Sequence, residues 1–471
     1  MYFLNAAVCA AVVFTTLTSP ALTHATSQYA GTKIFRIPTS SQEQTDKITN
    51  LINTLGVPTW TSDRIPYSHI DVQVSKDRLN NFHKALKEVN PDLDSQLVTM
   101  HDDLAVSIAK EAEGMTTPFR DAFAGLANDA WFNSYHTYAD HLQFLNDLES
   151  TFPNNAKVVT SGTSYEGRNI TGINIFGRSG PGTKPAVIFH GTVHAREWIG
   201  TMVTEQIAYS LLSNYTTSST IKSYVDKYDL YIFPIVNPDG FVYTQSSERL
   251  WRKNRQPPPS GSICYGRDIN RNWGWQWGTG GASTDPCDEL YQGASAGDSP
   301  EFQGLSAFLN AKANSAAGVK LYIDFHAYGL YFMGPYGYSC TTNAPDKTEH
   351  TKMEKGFAEA FQAVYGKTLL TGPICETLYQ ASGSSVDYAY GYSKIKYSFA
   401  AELRGSSSGN GFVLPPEEIR PSGIEAYEGI KYLLANEGTT MNSVNLQHRL
   451  ASSLILLLSL SFSIFGFSII F

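Results

Sequence analysis

Positive charge is scarce in this chain: 35 Lys and Arg stand against 43 Asp and Glu, for a net charge of −8 and a pI near 5.8. No long basic run occurs, so the chain lacks the electrostatic footprint of a nucleic-acid binder. Cysteine is sparse as well, with five residues in 471. Cys9 lies in an N-terminal apolar segment, which leaves Cys264, Cys287, Cys340 and Cys375. Four cysteines permit three pairings, and their count does not choose among them. No repeat or low-complexity stretch interrupts the chain after Trp131, and charge is missing altogether from the 22 positions 450–471.

What is present is ordinary for a globular protein: 42% apolar and 17% charged residues, with a 13% aromatic share that suggests a well-filled core. The ends are not ordinary. Residues 6–18 form an apolar core of signal-peptide length, followed by small residues and a cleavage site near Ala25. That predicts secretion, removal of 1–25, and two disulfides formed in an oxidising compartment. Asn169 and Asn214, in Asn-x-Thr triplets, then become glycosylation acceptors on the surface. The uncharged 450–471 run is long enough to span a bilayer. Small residues at 438–440 and a polar spacer at 441–449 precede it, the pattern of a glycolipid-anchor signal within 436–471. The tail is the one expected membrane contact of an otherwise monomeric, extracellular or cell-surface protein.

Residues 26–120 read as a separate α+β module. Segments 33–37, 69–74 and 96–100 are strand-like, and 41–55 and 79–89 are helix-like. A polar link at 109–127 follows, with Arg120 open to nicking. From Trp131 the pattern becomes apolar strand runs at 173–176, 186–189, 230–235, 319–325 and 398–403, separated by helices. Such alternation predicts an α/β domain over 121–435, with a mixed or parallel sheet flanked by helices. Ligands then collect where the strands end.

Chemistry-bearing residues fall at those ends. His194-Ala-Arg-Glu197 follows the 186–189 strand and precedes a helix at 198–212. An imidazole and a carboxylate three residues apart can fill two positions of a tetrahedral zinc site. His-x-x-Glu alone is common on solvated surfaces, so the rest of the chain must support it. His326 ends the 319–325 strand and completes a His₂Glu set with a fourth position left for water. Asp239 also follows a strand, but Asn237-Pro-Asp-Gly240 has the composition of a turn, and Asp239 is left out. Arg196, Arg252 and Arg271 form a cationic set able to grip a carboxylate by paired hydrogen bonds, with Asn270 beside Arg271 as an amide donor. Glu402 sits in an apolar strand, where a carboxylate usually has a partner and where a general base beside zinc-activated water would belong.

Across about 300 residues the chain resembles the metallocarboxypeptidase A/B family. The resemblance rests on Ser164-Tyr-Glu-Gly-Arg168, His194-Ala-Arg-Glu197, Asn237-Pro-Asp-Gly-Phe241, Trp251-Arg-Lys253, Asp268-Ile-Asn-Arg-Asn272, Leu378-Tyr-Gln-Ala-Ser-Gly383 and Ala401-Glu-Leu-Arg404. It implies a mixed, largely parallel sheet of the eight-stranded type, and a zymogen whose 26–120 module is a propeptide, freed by an activating protease near Arg120. It implies one Zn²⁺ on His194, Glu197 and His326, with Glu402 as general base and Arg252 on the oxyanion. Asn270, Arg271 and Tyr379 would hold a peptide's C-terminal carboxylate, with Arg196 and Tyr328 farther out along the cleft. It pairs Cys264 with Cys287 and Cys340 with Cys375. At the position that sorts basic from apolar specificity stands Val386, and Met333, Ile374, Ala381 and Ala400 fall on the pocket wall. Cleavage of aromatic and large aliphatic C-terminal residues is the expectation. A complete ligand set weighs against a catalytically dead binding protein, and the retained Asn270-Arg271 anchor weighs against a hydrolase of small amides.

Overall fold

The computed structural model describes residues 26–61, 69–115, 128–405 and 409–437. The expected signal segment, the Arg120 cleavage point and the C-terminal tail lie outside these. No described helix is long and apolar enough to cross a membrane.

The N-terminal unit holds β1 (Lys33–Pro38), α1 (Gln42–Leu55), β2 (His69–Val74), α2 (Leu79–Val89), β3 (Val98–His101) and α3 (Leu104–Glu111). Its strands form a three-stranded antiparallel sheet in the order β2-β1-β3. Ser41 caps α1 by accepting from the Gln44 N–H, and Gly56 ends it in the left-handed region, the usual start and stop chemistry. Ile48 and Ile52 of α1 and Phe82 and Leu86 of α2 pack on Phe35, Ile37, Ile70 and Val72. One expectation fails here. The link does not begin at Ala109, because residues 109–111 are the last turn of α3 and Glu111 is fully buried. A partner supplied from far along the chain holds that carboxylate, and local composition carries no sign of it.

The larger unit is an eight-stranded sheet in the order β10-β9-β11-β8-β6-β7-β5-β4. Its strands are β4 (Ala156–Thr163), β5 (Asn169–Ile175), β6 (Ala186–Gly191), β7 (Asp229–Phe233), β8 (Val319–His326), β9 (Tyr331–Gly334), β10 (Leu370–Pro373) and β11 (Tyr397–Glu402). Four interfaces are parallel and three antiparallel, and β11, β8, β6 and β7 form a parallel block at the centre. These central strands are near-continuous apolar runs because both faces are covered. Val187, Phe189, Ile323 and Phe325 face one core, with α4 (Tyr138–Thr151), α5 (Trp198–Ser213), α9 (Lys347–Tyr365) and α11 (Ile419–Asn436) packed on it. Ala186, Ile188 and Tyr322 face the other, under α8 (Pro300–Ala313) and α10 (Ser385–Gly391). The alternation is the period of two of a strand. Helices α6 (Ser219–Lys227) and α7 (Pro238–Ser246) add Ile221, Val225 and Phe241 to the first core. Helix α7 corrects a second expectation: Asn237-Pro-Asp-Gly240 is a helix start, with Asn237 capping the Gly240 N–H and Pro238 in the first turn. Proline just inside a capped N-terminus suits a helix as well as a turn.

Candidate active site

Three neighbouring parallel strands end at one place. Glu402, last in β11, is in register with His326, last in β8. Strand β6 ends beside them, with Gly191 opposite Phe325. The chain then turns through Thr192 at φ 56° to reach His194 and Glu197 ahead of α5. Gly191 is needed for that approach, since a Cβ would meet the Pro234 and Gly200 carbonyl oxygens at 2.9 and 3.0 Å.

Here the expected ligands converge. His194 Nδ1 lies 2.8 Å from Glu197 Oε1, and His326 Nδ1 lies 3.2 Å from His194 Nδ1 and 3.3 Å from Glu197 Oε2. All three side chains are buried. Donors about 2.1 Å from a tetrahedral ion stand about 3.4 Å from one another, so this spacing fits a single zinc-sized cation. The surroundings favour a cation too. Burial would raise the Glu197 pKa, yet the two imidazoles hold it below the carboxylate range. Burial opposes charge on His326, yet Asp324 and Glu197 draw its pKa well above the ordinary value.

The outer ring nitrogens meet carboxylates that sequence reading does not single out. His194 Nε2 is 3.2 Å from Asp268 Oδ1, and His326 Nε2 is 3.2 Å from Asp324 Oδ2. Such partners fix the tautomer and orientation of a ligating imidazole. Asp324 had a signal, standing two residues before His326 and hence on the same strand face. Asp268 stands in the Asp268-Ile-Asn-Arg-Asn272 motif, but its contact with His194 spans 74 positions and has no local sign.

Arg252 donates from Nε and Nη2 to Asp268 Oδ2 at 3.1 and 2.8 Å, with Nη1 3.9 Å from Glu197 Oε1. Glu402 faces the same cleft, and burial pushes its carboxyl above the usual range, against the pull of His326. Arg196, Tyr328 and Tyr379 complete the cleft wall with His194, Glu197, Arg252 and Glu402. Asn270, Arg271 and Val386 are not among the residues lining this cleft; Asn270 is half-buried, and Arg271 and Val386 are buried. Asn270 Nδ2 is 3.3 Å from His326 Nε2, and its Oδ1 accepts from the Ser385 N–H. Arg271 donates to the Gly281 and Asn270 carbonyls, 5.9 Å from the Tyr379 ring centre. Val386 shares an apolar cluster with Met333, Ile374 and Ala400, and Ala381 is buried. Asp239 sits away from the ligands, accepting from Ser164 Oγ, the Glu166 N–H and Arg168.

The N-terminal unit reaches into this cleft. Trp60, Thr61 and His69 line it opposite the ligands, and Tyr328 Oη donates to Asp71 at 2.7 Å. Glu111 takes both arms of Arg249 at 2.6 and 2.7 Å.

A zinc carboxypeptidase family model matches residues 141–429. The chain belongs to the zinc carboxypeptidase family. Its similarity to the metallocarboxypeptidase A of Arthroderma otae is 44% identity over 407 residues, 86% of this chain and 93% of that one. It is 32% identical to the carboxypeptidase A2 of Mus musculus over 411 residues, 86% and 94% of the two chains. The crystal structure of carboxypeptidase A from Helicoverpa armigera superposes with a TM-score of 0.72 at 28% identity, covering 86% of this chain and 97% of that one. As a zinc carboxypeptidase, the protein is a metal-dependent hydrolase acting on peptide C-termini. Two disulfides, Cys264–Cys287 and Cys340–Cys375, link the carboxypeptidase loops. Asn169 is exposed, whereas Asn214 is half-buried and donates its amide to the Ser210 carbonyl.

Proposed function

We propose that this zinc carboxypeptidase is made as a secreted zymogen and removes aromatic or large aliphatic residues from peptide and protein C-termini. The observation that carries the site assignment is the convergence of His194, Glu197 and His326 with Glu402 and Arg252 in one cleft at the strand ends. One zinc ion on that trio would supply Lewis acidity to water and to the scissile carbonyl. Glu402 takes the proton of the attacking water and later gives it to the leaving amine. Arg252 holds the oxyanion, and Asp268 keeps its guanidinium in place. Asn270 and Arg271 grip the terminal carboxylate, Tyr379 closes over it, and Arg196 and Tyr328 steer the chain upstream. An internal peptide bond offers Arg271 no such charge, which accounts for exopeptidase action.

The apolar surroundings of Val386 support the specificity. The neighbouring carboxylate, Asp387, is spent on the Gly337 and Tyr338 N–H groups and offers no counter-ion to a lysine or arginine. A blocked dipeptide ending in Phe should be hydrolysed far faster than one ending in Lys, with phenanthroline abolishing both. A faster Lys substrate overturns the apolar preference and leaves the enzyme class intact.

The zymogen reading is supported by Trp60 and His69 in the cleft and by the buried Glu111–Arg249 pair. An activating protease would cut near Arg120 and separate 26–120 from 121–435. N-terminal sequencing of active material tests this: a start near 121 is expected, and full activity of the uncut chain overturns it. Signal removal at 1–25, glycan on Asn169 and Asn214, a glycolipid signal in 436–471 and a monomeric state complete the proposal. A glycan at Asn214 requires its bond to Ser210 to open.

A further inference from the structure

Beneath the metal ligands runs a buried polar chain that the reaction as described does not use. Tyr322, Asp324 and His326 occupy alternate positions of β8 and so share one face. Asp324 Oδ2 lies 3.2 Å from His326 Nε2 and accepts from Ser385 Oγ at 2.5 Å. Its other oxygen, Oδ1, has no hydrogen-bond partner among the described residues. A single oxygen therefore carries all the polar contacts of this carboxylate. Ser385 is the first residue of α10, directly before Val386, and its N–H donates to Asn270 Oδ1 at 2.9 Å. Asp324 and Ser385 are each 1% exposed, so both contacts are shielded from bulk solvent.

We propose that Asp324 is a positioning residue that couples the metal centre to the floor of the specificity pocket. Its Oδ2 takes the N–H of His326 and aims the opposite nitrogen at the metal, while Ser385 fixes where that oxygen stands. Outer-sphere partners of this kind change metal affinity 10- to 100-fold when removed. The inference rests on His194, Glu197 and His326 being the metal ligands, and the wild-type titration tests that separately.

The experiment titrates the purified full chain with zinc against a competing chelator, alongside urea denaturation of the metal-free protein and kcat and KM at saturating zinc. Asp324→Ala should weaken zinc binding about 10- to 100-fold. Asp324→Asn, which keeps an acceptor, should recover much of the loss. Ser385→Ala should weaken zinc binding by a smaller factor, although Ser385 touches no ligand. In the Asp324→Ala background it should add nothing further. Zinc affinity of Asp324→Ala and Asp324→Asn within threefold of wild type overturns the proposal, as does a loss confined to urea stability. Fully multiplicative effects of the two substitutions overturn the coupling. A wild-type chain that binds no zinc defeats the ligand assignment and the proposal with it.

Discussion

Arg252 shares its carboxylate partner with His194. Its guanidinium is held by Asp268, which also contacts His194, so the cation proposed to hold the oxyanion is fixed before substrate arrives. Preorganised charge of this kind is worth about 10²–10³ in rate. Arg252→Ala should lower kcat on a Phe-ending dipeptide by about that factor while the zinc content of the purified protein stays unchanged. A drop in bound zinc equal to the drop in rate would assign Arg252 to the metal site instead. The proposed ligands His194, Glu197 and His326 and the proposed base Glu402 stood out in sequence because ligand chemistry limits which residue types can serve. Asp268 did not, because nothing local distinguishes a carboxylate that meets an imidazole from one that meets water.

At the level of elements, the site exists because β11, β8 and β6 are parallel and end together. Strands β5, β6, β7, β8 and β11 were readable from apolar content, whereas β4, β9 and β10 were not, and β2, α2 and α5 begin where sequence placed them. Their order in the sheet was not readable, since register between β8 and β11 joins residues far apart in the chain. The Asn237 segment shows the converse failure, where a composition read as a turn opens α7 because a capped proline start and a turn share their residues. The Cys264–Cys287 bridge closes a segment of 23 residues, for which loop entropy gives about 3 kcal/mol. Replacing both cysteines by serine should lower the urea-unfolding free energy by that order, about 3 kcal/mol, and an unchanged midpoint would show that this loop is held by its packing alone.

Over the whole molecule, two buried features set how it responds to cleavage and to acid. Glu111 and Arg249 are both fully buried, and removing one partner strands the other charge at a cost of about 3–5 kcal/mol. Glu111→Ala should loosen the N-terminal unit, raising the activity of the uncut chain on small substrates; unaltered latency and stability would place the grip of this unit elsewhere. His136, stacked on Trp131 and donating to its carbonyl, is pushed down to about 3 by burial and by nearby His141. It stays neutral when folded but takes a proton at its ordinary value of 6.5 when unfolded. Its contribution is therefore complete above pH 6.5 and is lost as pH falls toward 3, with a slope of up to about 1.4 kcal/mol per pH unit. His136→Gln should flatten the acid limb of stability measured by urea denaturation between pH 4 and 6, and an identical slope would show that His136 does not supply it.

Sequence by itself determined the α/β class and most element types, and it named the residues proposed as metal ligands and general base, because periodicity and ligand chemistry act over a few residues. Tertiary structure decided which carboxylates stand behind the imidazoles, that Glu111 is buried rather than part of a link, and that Trp60 and His69 lie in the cleft. Those outcomes depend on strand register and on contacts between residues far apart in the chain, as between Asp71 and Tyr328, 257 positions apart. Contact of that kind is a property of the assembled core, and no local pattern encodes it.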